Sequence, residues 1–376
     1  MKKDIILAGV GGQGILSIAT VIGEAALQEG MYLKQAEVHG MSQRGGDVQS
    51  NLRLSSEPIM LIKLKSIQLA AVYDIDPEKS KAFAEKYPTV KIMNSLQELI
   101  NSPEAELIII TSPTYCHRDG LMAAMATGKP IFCEKPLCRT RAELKELAPL
   151  ILDYKNFFTI GFVRRYSPGC VMMKKLIDEG KIGKLICGSV CCLFGGFRRE
   201  WGDWFADYDK SGGVMLDMLA HHCDLQNYIV GKPVSVYAQS MRLPKDLPQP
   251  RDYVSATAVF KGNYISNLEC SWLRGGPSDT YMTVYGDKGA LKLSDKQGLL
   301  FYDIGGAETK IEADEGILGH LQEEISGGMY ANEMASVVDC VINGKKPPVG
   351  AQDAINAMNF CFGMMESAET GKVVKF

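Results

Sequence analysis

Along the first half of the chain, apolar positions fall into short continuous runs separated by stretches with helical spacing. Asp4 to Ala8 reads as a strand, Gly9 to Gly14 as a tight loop, and Ile15 to Glu29 as a helix whose apolar residues recur on one side. Tyr32 to Val38 is strand-like again, but the residues after it form a loop with no crossover helix. From Gln68 the alternation becomes regular. Strands over Gln68–Asp74, Val90–Met93, Leu107–Thr111, Pro130–Cys133 and Phe157–Phe162 alternate with helices over Pro77–Tyr87, Ser95–Asn101, His117–Thr127 and Arg141–Asp153. Such alternation predicts parallel strands with right-handed crossovers, and ligands then bind at the carboxyl ends of those strands.

After Gly183 the pattern changes. Long strand-like runs over Leu185–Phe194, Val234–Met241, Val254–Phe260, Ile265–Trp272 and Tyr281–Tyr285 are joined by turns such as Lys261-Gly-Asn and Gly286-Asp-Lys-Gly. The fold class expected is α/β: a Rossmann-like parallel-sheet domain followed by an α+β domain with a large, mostly antiparallel open sheet. The expected division is residues 1–163 for dinucleotide binding, with 31–62 as an insertion, and 164–376 for substrate binding and oligomerisation. The C-terminal helices of the second part are candidates to pack back on the first.

Composition sets limits on partners. The 376 residues are 46% hydrophobic and 23% charged, too long for one ordinary domain and enough for two cores. A formal net charge of −3 and the lack of a long Lys/Arg run argue against nucleic acid or an anionic membrane, and for a small molecule. The chain has no run of about 20 apolar residues to span a bilayer. Asp4 and the glycine loop interrupt what begins like a signal peptide, so a cytoplasmic location is expected. The eleven cysteines include no Cys-x-x-Cys pair, so no metal site is expected, and Cys187, Cys191 and Cys192 read as reduced thiols in buried strands.

Two stretches carry candidate chemistry. Gly212-Gly213 leads into Val-Met-Leu-Asp217-Met-Leu-Ala-His221-His-Cys-Asp224, which reads as one helix with Asp217, His221 and Asp224 at i, i+4 and i+7 among apolar residues. Cys133-Glu134-Lys135-Pro136 ends a strand of the first domain. A structural reading makes Asp217 and His221 an internal ion pair and Lys135 a surface residue. A functional one makes His221 a base, Asp217 its partner, and Lys135 a cation beside a developing alkoxide. His222 is a rival base that falls off the face of Asp217.

Nucleotide chemistry is suggested independently. Gly9, Gly11 and Gly14 fit G-x-G-x-x-G after a strand and opening a helix, where glycines allow close approach of a pyrophosphate to unpaired N–H groups. For the acid that binds the ribose, Glu37 has the expected spacing and Asp74 the expected strand-and-helix context. An acid there favours NAD over NADP, and Asp76 adds a second carboxylate that would repel a 2′-phosphate. Arg164, Arg165 and Tyr166 are candidates for substrate hydroxyls or a carboxylate, and Trp201 and Trp204 for a stacking wall, each with a packing or solvated-loop alternative.

From about Ser66 to Phe376 the chain resembles the Gfo/Idh/MocA oxidoreductases. The likeness is carried by Ala71-Val-Tyr-Asp-Ile-Asp-Pro, Thr111-Ser-Pro-Thr-Tyr-Cys-His117, Gly128-Lys-Pro-Ile-Phe-Cys-Glu-Lys-Pro136, Ser211-Gly-Gly to Asp224, and Ser367-Ala-Glu-Thr-Gly-Lys-Val-Val. The resemblance implies nicotinamide-dependent hydride transfer on a sugar, polyol or derivative, with Lys135, Asp217 and His221 catalytic. Asp74, Ser112, Pro113, His117, Glu134 and Lys135 are the candidates around the cofactor, and Arg164, Tyr166, Trp204, Asp217 and His221 those around the substrate. The resemblance also implies a homo-oligomer, a dimer or tetramer, joined through the C-terminal sheet. Residues 1 to about 60 look instead like the opening of the gamma-type domain of 2-oxoacid:ferredoxin oxidoreductases, as in indolepyruvate oxidoreductase, so Asp4 to Glu29 must replace the family's own first strand and helix. A non-catalytic dinucleotide or sugar sensor and an oxoacid:ferredoxin oxidoreductase subunit are the alternative functions.

Overall fold

The computed structural model describes residues 3–8, 33–39, 48–54, 67–193, 204–242, 252–272, 279–313 and 328–376. The expected Gly9, Gly11 and Gly14 loop, the helix Ile15–Glu29 and Trp201 lie outside the described residues. The chain divides into two compact units: Met1–Val163 with Leu318–Gln352, and Arg164–Ile317 with Asp353–Phe376.

The first unit is built on a six-stranded parallel sheet. Its strands are β1 (Lys3–Ala8), β4 (Ile67–Tyr73), β5 (Lys91–Ile92), β6 (Leu107–Ile110), β7 (Ile131–Cys133) and β8 (Phe158–Ile160), in the order β5-β4-β1-β6-β7-β8. This is the doubly wound order, reversing direction between β1 and β6. Lys3–Ala8 therefore supplies the strand the fold needs, because β1 pairs in parallel with both β4 and β6. The intervening excursion contains β2 (Leu33–His39) and β3 (Val48–Leu54), which pair antiparallel as a separate two-stranded sheet. β3 was not expected from the sequence.

Helices start where capping side chains allow. Asp76 caps Pro77–Lys86, Ser95 caps Leu96–Asn101, and Thr140 with Glu143 forms a reciprocal capping box before Arg141–Asp153. The helix expected from His117 begins three residues earlier, at Thr114 directly after Pro113, and runs to Met125. A C-terminal helix, Gly328–Asn343, completes this unit by packing Met334, Val337 and Val338 on Leu107, Ile109 and Phe132.

In the second unit a nine-stranded sheet runs β16-β15-β14-β13-β9-β12-β11-β10-β17. The strands are β9 (Leu185–Leu193), β10 (Pro233–Arg242), β11 (Asp252–Phe260), β12 (Ile265–Ser271), β13 (Asp279–Gly286), β14 (Gly289–Ser294), β15 (Gly298–Asp303), β16 (Glu308–Ile311) and β17 (Val374–Lys375). Only the β9–β12 pair is parallel. Period-two alternation buries Val190, Cys192, Val254, Ala256, Leu268, Cys270, Met282 and Val284 on one face. The other face carries Cys187, Tyr237, Met241, Ile265 and Tyr285, all exposed. Cys187, expected in a buried strand position, thus lies on the open face, since its parity is that of Ser189 and not of Val190.

Candidate active site

Residues expected around the cofactor gather at one edge of the first unit. Asp74 follows β4, Ser112 and Pro113 follow β6, and Glu134, Lys135 and Pro136 follow β7, so all stand at carboxyl ends of parallel strands beside the β1–β6 switch point. Asp74 is buried, its Oδ1 accepts from the Asp76 backbone N–H at 2.8 Å, and its own N–H donates to Ser80 Oγ at 2.9 Å. The carboxylate is thereby fixed at the end of the strand next to β1. Glu37, the rival by spacing, lies in β2, which pairs with β3 and takes no part in the parallel sheet.

His117 lies beneath this edge. Its ring is 1% exposed, with Nδ1 2.7 Å from the Pro136 carbonyl and Nε2 2.7 Å from the Ser112 carbonyl. Burial pushes the ring below the ordinary histidine value, the two carbonyls oppose that shift, and the charge of Lys135 adds to it. With both ring nitrogens turned to backbone oxygens, the imidazole braces the two loops.

Glu134 and Lys135 follow the brace. Glu134 Oε2 accepts from the Lys135 backbone N–H at 3.2 Å, and its carboxyl packs so closely over Gly161 that an added Cβ there would meet Oε2 at 2.8 Å. Burial pushes the Glu134 carboxyl up to about 7 against the pull of Lys135. Glu333, on the helix Gly328–Asn343, is 2% exposed and its Oε1 has no hydrogen-bond partner. Burial first, and then the charge of Glu134, hold it well above the carboxylate range. Sequence reading missed Glu333, although an acid followed at i+4 by Val337 in an apolar helix is a usable signal.

In the second unit the stretch after Gly212 is two helices, Gly213–Asp217 and Leu219–Ile229, with a break at Met218. Gly212 and Gly213 take φ of +76° and +63°, and a Cβ on Gly212 would lie 2.6 Å from Leu216 Cδ2, so glycine is required at the turn that delivers Asp217. Asp217 is buried and His221 half-buried. His222 is buried and its ring bonds the Cys192 thiol, which leaves His221 as the candidate base.

Asp224 has a structural role. Arg165 Nε donates to its Oδ2 at 2.7 Å and Arg165 Nη2 to Asp353 Oδ1 at 3.0 Å, with Arg165 and Asp224 both buried. Burial pushes the Asp224 carboxyl up to about 7 against the attraction of Arg165. Arg165 is therefore spent inside the unit and is not available to a substrate. Arg164 is likewise engaged, through two 2.9 Å hydrogen bonds to Asp295, and Tyr166 is 4% exposed. Trp204 lies against Phe205, with ring centroids 3.8 Å apart. Among the described residues no group of three or more His, Cys, Asp or Glu side chains is placed to hold a metal ion.

Known proteins agree with this architecture. Residues 51–162 match the oxidoreductase family with an NAD-binding Rossmann fold, and residues 170–292 match the GFO/IDH/MocA C-terminal domain. The scyllo-inositol 2-dehydrogenase (NAD(+)) of Bacillus subtilis is 27% identical over 292 residues, covering 74% of this chain and 80% of that protein. The myo-inositol 2-dehydrogenase of Thermotoga maritima is 25% identical over 317 residues, covering 82% of this chain and 90% of its own. Among solved structures, a levoglucosan dehydrogenase in complex with NADH and levoglucosan superposes with a TM-score of 0.77 at 18% identity, over 100% of this chain and 99% of the other, a likeness of fold. With both halves of the family pattern matched in order on one chain, the protein belongs to the GFO/IDH/MocA family of oxidoreductases, and its first unit is that family's NAD-binding Rossmann domain.

Proposed function

We propose that the protein is an NAD-dependent dehydrogenase that oxidises a secondary alcohol of an inositol-like polyol, a sugar or a sugar derivative. The observation that carries the reading is the row of Asp74, Ser112 and Glu134-Lys135 at the carboxyl edge of a sheet in doubly wound order, in a chain related to inositol 2-dehydrogenases. NAD, when bound, supplies the hydride acceptor. His221 accepts the proton of the reacting hydroxyl, Lys135 holds the oxygen as it gains charge, and Asp217 fixes a substrate hydroxyl or the imidazole. Asp74 holds the adenosine ribose, and the Gly9, Gly11 and Gly14 loop the pyrophosphate. His117 acts indirectly, by bracing the Ser112 and Pro136 backbones. Trp204 remains the candidate substrate wall, whereas the Arg164 and Tyr166 positions favour packing within the second unit.

The same reading extends to assembly and location. The exposed Tyr237, Met241, Ile265 and Tyr285 on the open sheet face support a homo-oligomer formed there. Eleven cysteines without a disulfide support the cytoplasm, and among the described residues no helix is long and apolar enough to cross a membrane. A match that covers residues 51–162 and 170–292 favours this function over an oxoacid:ferredoxin oxidoreductase subunit, whose likeness stays within the first 60 or so residues. The test is a panel of inositols and sugars incubated with NAD and the purified protein, read at the absorbance of reduced nicotinamide. Growth of that absorbance with one polyol or sugar is the expected result. Tight NAD binding with no turnover across the panel would favour the sensor alternative.

A further inference from the structure

Cysteine has no part in the proposed reaction, yet four thiols are linked in the second unit. Cys192 on β9 and Cys270 on β12 stand opposite each other in the parallel register, both 0% exposed on the helix-covered face. Their thiols hydrogen-bond to each other, and the buried ring of His222 bonds Cys192 as well. Cys223, on the same helix as His222, bonds Cys361 and is close enough for Cys270 to act on it. Asp217 in turn acts on Cys270.

Spacing and chemistry both suit bond formation between the first two. Residues in register on adjacent strands lie about 4.8 Å apart, inside the range of Cα separations that a disulfide spans. The hydrogen bond from Cys270, together with His222, holds Cys192 well below the ordinary thiol value, which favours the nucleophilic thiolate. Burial holds Cys270 well above it, as a protonated thiol.

We propose that Cys192 and Cys270 are a modification site, closing to a reversible disulfide on reaction with a small peroxide. The Cys192 thiolate attacks one oxygen of the peroxide, the O–O bond breaks, and hydroxide leaves and takes up a proton, giving a sulfenic acid and one water. The Cys270 sulfur then attacks the Cys192 sulfur, the S–O bond breaks, and the hydroxyl leaves with the proton of Cys270 as a second water. The two sulfurs lose two electrons and the peroxide gains them. Because both sulfurs are fully buried, a water-sized oxidant is the reagent class, and a bulky disulfide such as oxidised glutathione, which needs in-line access to sulfur, is not.

The test reads mass and does not depend on the enzymatic reading. The folded full-length chain is treated with hydrogen peroxide, its remaining thiols are alkylated after unfolding, and unreduced peptides are mapped. A Cys192–Cys270 crosslink is expected, lost on treatment with dithiothreitol, retained in Cys191→Ser and absent from Cys192→Ser. Oxidised glutathione should fail to produce it. In Cys270→Ser, a variant that keeps the attacking thiol, Cys192 should be captured as the sulfenic acid by dimedone added together with the denaturant. The proposal is overturned if peroxide sufficient to oxidise the exposed Cys187 leaves the pair unlinked, or if the crosslink forms only in urea.

Discussion

Two carboxyls, Glu134 and Glu333, show how much a single residue in the first unit can carry. Each holds its proton more tightly folded than unfolded, because burial disfavours the charged form of both and, at Glu333, the charge of Glu134 adds to it. A group whose folded pKa is raised costs stability as pH climbs from its unfolded value of 4.5 through the folded one, here about 7 for Glu134. Glu333→Gln removes one of the two charges. The variant should therefore match the parent near pH 5 and exceed it at pH 8 by about 1 kcal/mol or more in urea unfolding. Parallel stability–pH curves for the two proteins would count against the paired acids. Asp74 makes a second residue-scale claim, about selectivity. Replacing it with Ser removes the carboxylate fixed at the end of β4 and should raise the NADP-to-NAD ratio of kcat/KM by about tenfold, measured side by side on one substrate.

At the scale of elements, some features were legible in the sequence and others were not. The strands and helices from Gln68 to Phe162 follow from apolar period and capping residues, both local properties. The break at Met218 was not legible, since Leu, Met and Ala favour helix on both sides of it. Nor was the role of Asp224, whose partner Arg165 is far from it in sequence. On the expected helix it shared a face with Asp217 and His221, and only tertiary contact separates the structural acid from the candidate catalytic pair. Arg165→Met strands that buried carboxyl and should cost about 3–5 kcal/mol of unfolding free energy, with much of the loss recovered in Arg165→Met/Asp224→Leu. Equal losses in the single and double variants would deny that the pair is coupled.

For the molecule as a whole, the alternation of strands and helices predicted the parallel sheet, and long strand-like runs joined by short turns predicted the mostly antiparallel one. The apolar run Asp4–Ala8 was readable as a strand, and it takes the first-strand place expected of it, as β1 between β4 and β6. Catalytic candidates were readable as residue types in motifs, while Glu333 and the His117 brace depend on contacts between distant segments. The open face of the second sheet bears on assembly. Ile265→Lys with Met241→Glu places charges on exposed apolar positions and should convert the proposed oligomer to a smaller species in light scattering, with NAD binding kept. An unchanged mass would move the interface elsewhere.

Hydride transfer assisted by Lys135 and His221 is the central claim, and turnover measured together with NAD binding tests it most directly. In Lys135→Ala and His221→Ala, NAD should still raise the melting temperature while the rate of NADH formation from the best polyol or sugar drops by about 10²–10⁴-fold. Rates equal to the parent in both variants, or a parent protein whose melting temperature ignores NAD, would contradict the account.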